Sequence, residues 1–417
     1  MINYYSPFSF GQLSLTLIME SKNIKEQLLR FNKSRSIQPV TSLCYAPFLS
    51  LNFDQSGNIT ACCFNRSHIL GLYPAQSISE AWNGTPNKEL RRAMKDFNDQ
   101  LGCSKCTRMI EESNFESVLI KHFDEYAELT LNEKKNQWWR YKSQNKLANR
   151  IEKNLLPVVF EFEISNNCNL ECIMCGGNWS SAIRKNREGL PVIKSPFDEA
   201  FVQQVSKYLP TLKRANFLGG EPFLISLYYS IWESIIEINP SIDVAITSNG
   251  TVLNTRAKKI INNLPNCRIT LSIDSLNKTT WENIRRNGNF ETLLENLQWL
   301  RNSGKLKSFS VCPMIQNWEE IPEIAQYCQD NALDIYFNIV YGPLGERKKG
   351  IHLIDESSLS TNTLLIPETS MSKMDRAELL KVIRFYKTYH FRDRIQDQLD
   401  NLIRQLENWY HQTDEIC

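Results

Sequence analysis

Residues 158–177 read VVFEFEISNNCNLECIMCGG. The first eight residues are rich in aromatic and β-branched side chains and read as a strand. Ser165, Asn166 and Asn167 end the run, and Cys168, Cys172 and Cys175 follow in one loop. Two such short intervals let three thiolates converge on one metal centre. Soft thiolates suit zinc or iron–sulfur centres. Tetrahedral zinc needs a fourth protein ligand, and the histidines, His68, His122, His352, His390 and His411, show no zinc-like spacing with this loop. Three cysteines with one coordination position unassigned imply an open cluster better than a closed structural site.

Downstream, short apolar runs alternate with helical periods. Strands are expected near residues 162, 217, 246, 271, 311 and 337, within VVFEFEIS, RANFLGGEP, DVAITSNG, RITLSIDS, LKSFSVCPMI and ALDIYFNIV. Helices are expected near 197–208, 227–238, 255–262, 290–301 and 321–330. Strand–helix alternation predicts an α/β fold with a mostly parallel sheet. Six units fall short of a full eight-unit barrel, so residues 157–345 are expected to form a partial (β/α)6 barrel. Residues 346–417 hold two helical periods, Leu379, Leu380, Ile383 and Tyr386, then Ile395, Leu399, Leu402, Leu406 and Trp409. These C-terminal helices are expected to cap the barrel, with a partner contact as the alternative.

Upstream, residues 40–110 form a small α+β module in this reading. CYAPFLSLNFDQSGNITACCF, residues 44–64, has two β-prone runs around Asp54, Gln55, Ser56 and Gly57, the signature of a hairpin. A helix carrying Leu90, Met94 and Phe97 follows, then a tight loop with Cys103 and Cys106. Residues 1–39 are a lead-in with a helix near Ile24–Phe31, and 111–156 a polar helical connector. In that connector seven basic residues face two acidic ones between Glu133 and Lys153, interrupted by Trp138, Trp139 and Tyr141. A solvated helix with a docked aromatic face is the ordinary reading, and an anionic backbone held by charge and stacking is the other.

The 417 residues carry 48 basic and 46 acidic side chains, a net charge of +2, so no global field gathers nucleic acid. No stretch approaches the ~18 apolar residues of a membrane span, and residues 1–19 lack the pattern of a secretory signal. The expected location is cytoplasmic, with no membrane or nucleic-acid partner. Twelve cysteines are too dilute for a disulfide scaffold, yet eight fall into two groups: Cys44, Cys62, Cys63, Cys103 and Cys106, then Cys168, Cys172 and Cys175.

With these residues in view, the sequence resembles the radical S-adenosylmethionine (SAM) enzymes. Cys168, Cys172 and Cys175 carry that family's cluster spacing, with Met174 where a bulky side chain is common. The resemblance implies a [4Fe-4S] cluster on three thiolates with S-adenosylmethionine at the fourth iron. LGGEP, with Gly219, Gly220 and Glu221, is similar to the segment that receives the methionine ammonium; Ser248 and Asn249 of ITSNG are placed for the ribose hydroxyls. Ser272 and Asp274 of LSIDS add polar positions, Asp274 facing ribose or substrate. Arg285 resembles an arginine that approaches the cofactor carboxylate, with Arg286 beside it. In SVCPMIQN the glycine of many members is absent, leaving Val311 and Ile315 to pack around adenine and Asn317 to make a polar contact.

The N-terminal group resembles a twitch or SPASM module, placed before the barrel where relatives place it after. GNITACC, SISEAWNG, LRRAM and GCSKC carry the likeness. It implies an auxiliary [4Fe-4S] cluster on Cys44, Cys62, Cys103 and Cys106, Cys62 being preferred to Cys63, with zinc on the same thiolates as the alternative. Family members reductively form a 5'-deoxyadenosyl radical that abstracts hydrogen from substrate. The resemblance implies a peptide or protein substrate, ending in oxidation, crosslinking or epimerisation, and a flavodoxin or ferredoxin-like electron donor. Sugar or nucleoside oxidation or dehydration is the enzymatic alternative, and a non-catalytic iron–sulfur scaffold that binds peptide is the other. Cys312 is the candidate hydrogen donor for epimerisation and Cys328 a weaker one; for both, a buried structural thiol is the ordinary reading.

Overall fold

The computed structural model describes residues 25–38, 40–111, 113–115, 118–132, 156–338 and 369–412. The basic run 133–153, the loop 341–350 and Cys417 lie outside the described residues. Contacts divide the chain into two compact units, one within 1–49, 64–68 and 88–155, the other within 50–63, 69–87 and 156–417.

The second unit is a mixed α/β structure on one nine-stranded sheet, with β1 Ser50–Asp54, β2 Asn58–Thr60, β3 Gly71–Leu72, β4 Val159–Glu163, β5 Arg214–Phe217, β6 Asp243–Ser248, β7 Cys267–Ser272, β8 Leu306–Val311 and β9 Asp334–Phe337. Its order is β3-β2-β1-β4-β5-β6-β7-β8-β9, with β3 and β9 at the two ends. The strands β4 to β9 pair in parallel, as strand–helix alternation requires. Helices Glu199–Ser206, Ser226–Ile238, Thr255–Asn263, Phe290–Asn302 and Ile321–Asp330 connect them. Three of these helices start where the sequence supplies a cap: Asp198, Asn254 and Asn289 accept from backbone N–H groups of the first turn.

The hairpin differs from the sequence reading. Its strands belong to the same sheet as the six parallel ones, because β1 pairs in parallel with β4, Phe53 opposite Phe162 and Asn52 opposite Glu161. The two-residue period explains why the register holds. On one face Phe53, Phe162 and Phe217 stack in neighbouring strands, with ring centroids 5.5 and 4.9 Å apart, and Phe160, Phe197 and Phe201 close around them. On the other face Asn52, Glu161 and Asn216 form a polar row. Slipping β1 by one residue would put Asn52 into the aromatic layer. The turn closes as read: Asp54 accepts from the Ser56 and Asn58 N–H groups at 2.9 and 3.1 Å, and Gly57 sits at φ +91°.

Phe162 is fully buried at the centre of this layer. Phe162→Ala is expected to cost about 3–5 kcal/mol of stability, read as a lower denaturation midpoint in urea at unchanged slope.

Helices Arg376–Tyr386 and Asp393–Gln412 bury Leu379, Ile383, Tyr386, Leu399, Leu402 and Leu406. Asp393–Gln412 lies beside β9, with Arg394 Nη1 3.3 Å from Asp334 Oδ2, so this pair of helices covers the β9 end of the sheet. No helix among the described residues is long and apolar enough to cross a membrane.

The first unit is helical, with residues 25–33, Ser104–Glu111 and Ile120–Asn132 among its helices. Arg35 and Asp124 form a buried fork, Nη2 to Oδ1 at 2.6 Å and Nε to Oδ2 at 2.8 Å. The same guanidinium donates from Nη1 to the carbonyls of Ser42 and Leu43 at 3.0 and 3.1 Å, which fixes the backbone entering Cys44.

Candidate active site

The loop after β4 is held by its own backbone and by nearby side chains. Cys168 N–H donates to Ser181 Oγ at 3.1 Å, Ser180 Oγ donates to Leu170 O at 2.7 Å, and Cys175 N–H donates to Cys172 O at 3.1 Å. The Glu171 and Ile173 N–H groups donate to the carbonyls of Arg286 and Ile284, both at 2.9 Å. These two bonds bracket Cys172 and set it against Arg285. Arg285 Nη1 lies 3.8 Å from Cys172 Sγ.

Arg285 is buried, and its Nη2 is 2.8 Å from Asp274 Oδ2. Burial works against its charge, but Asp274 and then Cys172 favour the cation, and its pKa rises on balance. Asp274, fully buried, accepts the Cys312 N–H through Oδ1 at 2.7 Å. The expected ribose- or substrate-facing carboxylate is therefore engaged with Arg285 and the backbone after β8. Asn317 Nδ2 donates to the carbonyls of Asp274 and Cys312 at 2.7 and 3.1 Å, while its Oδ1 accepts from Met314 N–H at 2.7 Å. Its amide stitches the β7 and β8 ends together.

Glu221 is fully buried. It accepts from Ser248 Oγ at 2.8 Å, Asn249 N–H at 2.7 Å and Phe223 N–H at 3.3 Å. Burial pushes its pKa up to about 7, against the opposing effect of the Asn249 and Ser248 hydrogen bonds. Ser248 and Asn249 thus orient the carboxylate, and Asn249 Nδ2 also reaches Asn169 Oδ1 at 3.1 Å and lies 3.9 Å from Cys168 Sγ. Gly219 is at φ +106°, and a Cβ on Gly220 would come within 2.6 Å of the Asn166 and Asn167 backbone, so the GGE segment lies directly against the cysteine loop.

The three thiols share one electrostatic environment. Burial raises Cys168 to about 11 and Cys175 to about 12, and raises Cys172 as well; the thiolates repel one another while Arg285 favours each. The Cys312 thiol is raised above the ordinary range by burial and then by Asp274, and it too feels Arg285, Cys172 and Cys175. Ser272 sits at the end of β7, register-paired with Ser310. Val311 is fully buried at the end of β8 and Ile315 is exposed beyond it. Cys328 and Cys267 are buried within the second unit.

The structure therefore gathers Cys168, Cys172, Cys175, Glu221, Asn249, Asp274, Arg285 and Cys312 around one loop. It adds residues that the sequence did not single out. Arg187 Nη1 donates to Cys172 O at 3.2 Å and Glu188 Oε1 accepts from Gly177 N–H at 2.8 Å. Neither belongs to a local motif, and only the fold brings them to the loop.

Each unit carries part of the other cysteine group. In the first, Ala46 N–H donates to Cys44 Sγ at 3.4 Å, and Asn65 Nδ2 lies 3.6 Å from Cys103 Sγ. Burial raises the Cys103 thiol to about 12 and Cys106 to about 11. In the second, Cys62 is buried and Cys63 N–H donates to Glu161 Oε2 at 3.0 Å. β2 ends at Thr60; Cys62 lies in a bend and Cys63 in a turn beyond it, so strand alternation does not choose between them.

Among the described residues no three His, Cys, Asp or Glu side chains close on a single metal ion. The chemistry of the donor set around 168–175 fits a larger, anionic group: three thiols from one loop, Cys172 buried and Cys168 and Cys175 half-buried, stand beside a guanidinium whose Nε is buried without an acceptor.

Compared with known families, residues 162–328 match the radical SAM superfamily, and residues 44–107 match SPASM, an iron–sulfur cluster-binding domain. The chain thus contains a radical SAM domain preceded by a SPASM domain. Among curated proteins it is 28% identical over 189 residues to a GTP 3',8-cyclase of Saccharophagus degradans, covering 44% of this chain and 54% of the relative. It is 27% identical over 188 residues to the GTP 3',8-cyclase of Limosilactobacillus fermentum, covering 44% and 53%. The chain spans about half the length of the curated relatives it matches. Among solved structures, SuiB of Streptococcus suis bound to S-adenosylmethionine aligns at 15% identity and a TM-score of 0.41, over 68% of this chain and 62% of that one.

Proposed function

We propose that the chain is a radical SAM enzyme that abstracts hydrogen from a peptide or protein substrate. The observation that carries this reading is the loop 168–175, whose three clustered thiols lie against the GGE segment and Arg285 within a radical SAM domain. In this reading Cys168, Cys172 and Cys175 hold a [4Fe-4S] cluster. Bound there with S-adenosylmethionine, it supplies one-electron cleavage of the sulfonium and hydrogen abstraction from substrate.

The protein's part is binding and orientation. Glu221, aimed by Ser248 Oγ and Asn249 N–H, offers a carboxylate to the cofactor's ammonium. Gly219 and Gly220 keep that carboxylate close to the loop. Ser248, Asn249, Ser272, Val311, Ile315 and Asn317 are assigned to the cofactor's nucleoside side by resemblance. Asn317 would act through backbone it already holds.

Cys44, Cys62, Cys103 and Cys106 are proposed to hold a second [4Fe-4S] cluster, supported by the SPASM match that spans all four. A peptide substrate is supported by the pairing of radical SAM and SPASM domains. A low-potential flavodoxin or ferredoxin-like protein would supply the electron. The similarity to GTP 3',8-cyclases favours a second reading, a nucleoside or sugar-bearing substrate.

The substrate test uses anaerobically reconstituted enzyme, S-adenosylmethionine and dithionite, with peptides encoded near the gene in one arm and nucleosides and nucleotides in the other. The expected result is a peptide product detected by mass spectrometry, formed only when reductant and cofactor are both present. A converted nucleotide with unchanged peptides would replace the leading reading by the second. Should the peptide product be an epimer, Cys312→Ala is expected to block deuterium incorporation at the α-carbon in heavy water; normal epimer formation by that variant would remove Cys312 as the donor.

A further inference from the structure

The guanidinium of Arg285 has an unusual set of neighbours for a residue expected at the cofactor carboxylate. One end of the fork, Nη1, lies 3.8 Å from the sulfur of Cys172, and the other, Nη2, lies 2.8 Å from Asp274. Asp274 is in turn fixed by the Cys312 N–H, and Arg285's own backbone stretch by the bonds from Glu171 and Ile173 to the carbonyls of Arg286 and Ile284. Arg285 and Asp274 are both buried, so solvent does little to screen the positive charge at that sulfur. The arrangement spends a buried ion pair to aim one cation at one thiol, and a pair of this kind is not expected to raise fold stability by itself.

We propose that Arg285, held and partly neutralised by Asp274, sets the reduction potential of the cluster bound by Cys168, Cys172 and Cys175. The inference rests on the reading that these three cysteines hold the cluster. Reduction adds one electron, taken from an external low-potential one-electron donor, and so adds one negative charge to the cluster and its thiolates. A cation beside Cys172 Sγ favours that reduced form, and hydrogen bonds and charges at cluster sulfurs are among the means by which a protein tunes a potential. Removing the cation makes reduction harder. Removing the Asp274 charge while keeping the cation makes it easier. The two changes therefore shift the potential in opposite directions, which a purely structural role would not do.

The experiment is an EPR-monitored redox titration of the full-length, anaerobically reconstituted protein without S-adenosylmethionine, with iron and sulfide counted in each sample. Cys44→Ala/Cys103→Ala/Cys106→Ala serves as background so that only one cluster reports. Arg285→Gln is expected to lower the midpoint by a tenfold change in the oxidised-to-reduced ratio, ~59 mV for a one-electron couple. Asp274→Asn, which can still accept the Cys312 N–H, is expected to raise it. Unchanged midpoints at full iron content, or shifts of both variants in the same direction, would overturn the proposal. If Arg285→Gln does not retain its cluster, Asp274→Asn decides alone, an upward shift supporting the proposal and any other result refuting it. Absence of the cluster from the background protein, or its persistence after Cys172→Ala, would instead refute the assignment of the three cysteines.

Discussion

Replacing Cys168, Cys172 and Cys175 together by alanine is expected to halve the bound iron and sulfide, from about eight of each per chain to about four, in keeping with two [4Fe-4S] clusters. The three thiols lie in one loop and burial raises the pKa of each; Glu221 and Cys172 add to this at Cys168, Asp274 at Cys172, and Cys172 and Cys168 at Cys175. A bound cluster offsets that cost by coordinating the thiolates, and with the thiolates removed the loop offers it no ligand. The four-cysteine group lies elsewhere in the sequence and is expected to keep its cluster. Cofactor cleavage should vanish with the lost iron. Metal analysis and EPR of wild type and triple variant check this, and stoichiometric zinc at the N-terminal group would replace the second cluster with a structural zinc site.

The second large effect is expected at Glu221. Glu221→Gln keeps the size of the side chain and leaves an oxygen to accept from Ser248 or Asn249, but it removes the charge proposed to meet the cofactor's ammonium. Binding of S-adenosylmethionine should weaken by roughly tenfold or more, while iron content stays near that of wild type. The pH dependence follows from the raised pKa. Glu221 titrates near 7 in the folded chain against an ordinary 4.5, because burial disfavours its anion. The folded state therefore prefers the protonated carboxyl, and the stability this contributes is fully present below about 4.5 and lost as pH rises through about 7. The cofactor's ammonium needs the anion, so wild-type affinity should strengthen from pH 6 to 8 and the variant's should stay flat. Titration calorimetry across that range is the check. Equal affinity and equal pH dependence in the two proteins would reject the assigned role.

Much of the second unit was legible because its signals are local. Alternating aromatic residues in VVFEFEIS, the strand–helix alternation after it and the spacing of Cys168, Cys172 and Cys175 all lie within a few positions of the features they determine. The parallel pairing of β1 with β4 was not legible, since nothing near Phe53 says that its neighbour is Phe162. A hairpin reads the same in an isolated module and at the side of a larger sheet.

At the site, residue types were easier to find than their partners. Arg285 and Arg286 look alike in sequence; the choice comes from the backbone bonds to Glu171 and Ile173, which turn Arg285 toward Cys172. Asp274 is a strand-end carboxylate that could face a ligand in sequence terms, whereas in the fold it is buried under Arg285. The preference for Cys62 over Cys63 rests on resemblance, and β2 stops short of both, so strand geometry adds nothing to it.

Radical formation at the Cys168–Cys175 loop is read directly by the appearance of 5'-deoxyadenosine when anaerobically reconstituted protein is mixed with S-adenosylmethionine and dithionite, followed by chromatography and mass spectrometry. Wild type is expected to give 5'-deoxyadenosine and methionine in equal amounts, and the Cys168, Cys172, Cys175 triple variant none. An intact cofactor after prolonged incubation with fully iron-loaded wild type, or equal cleavage by the triple variant, would contradict radical formation at this loop.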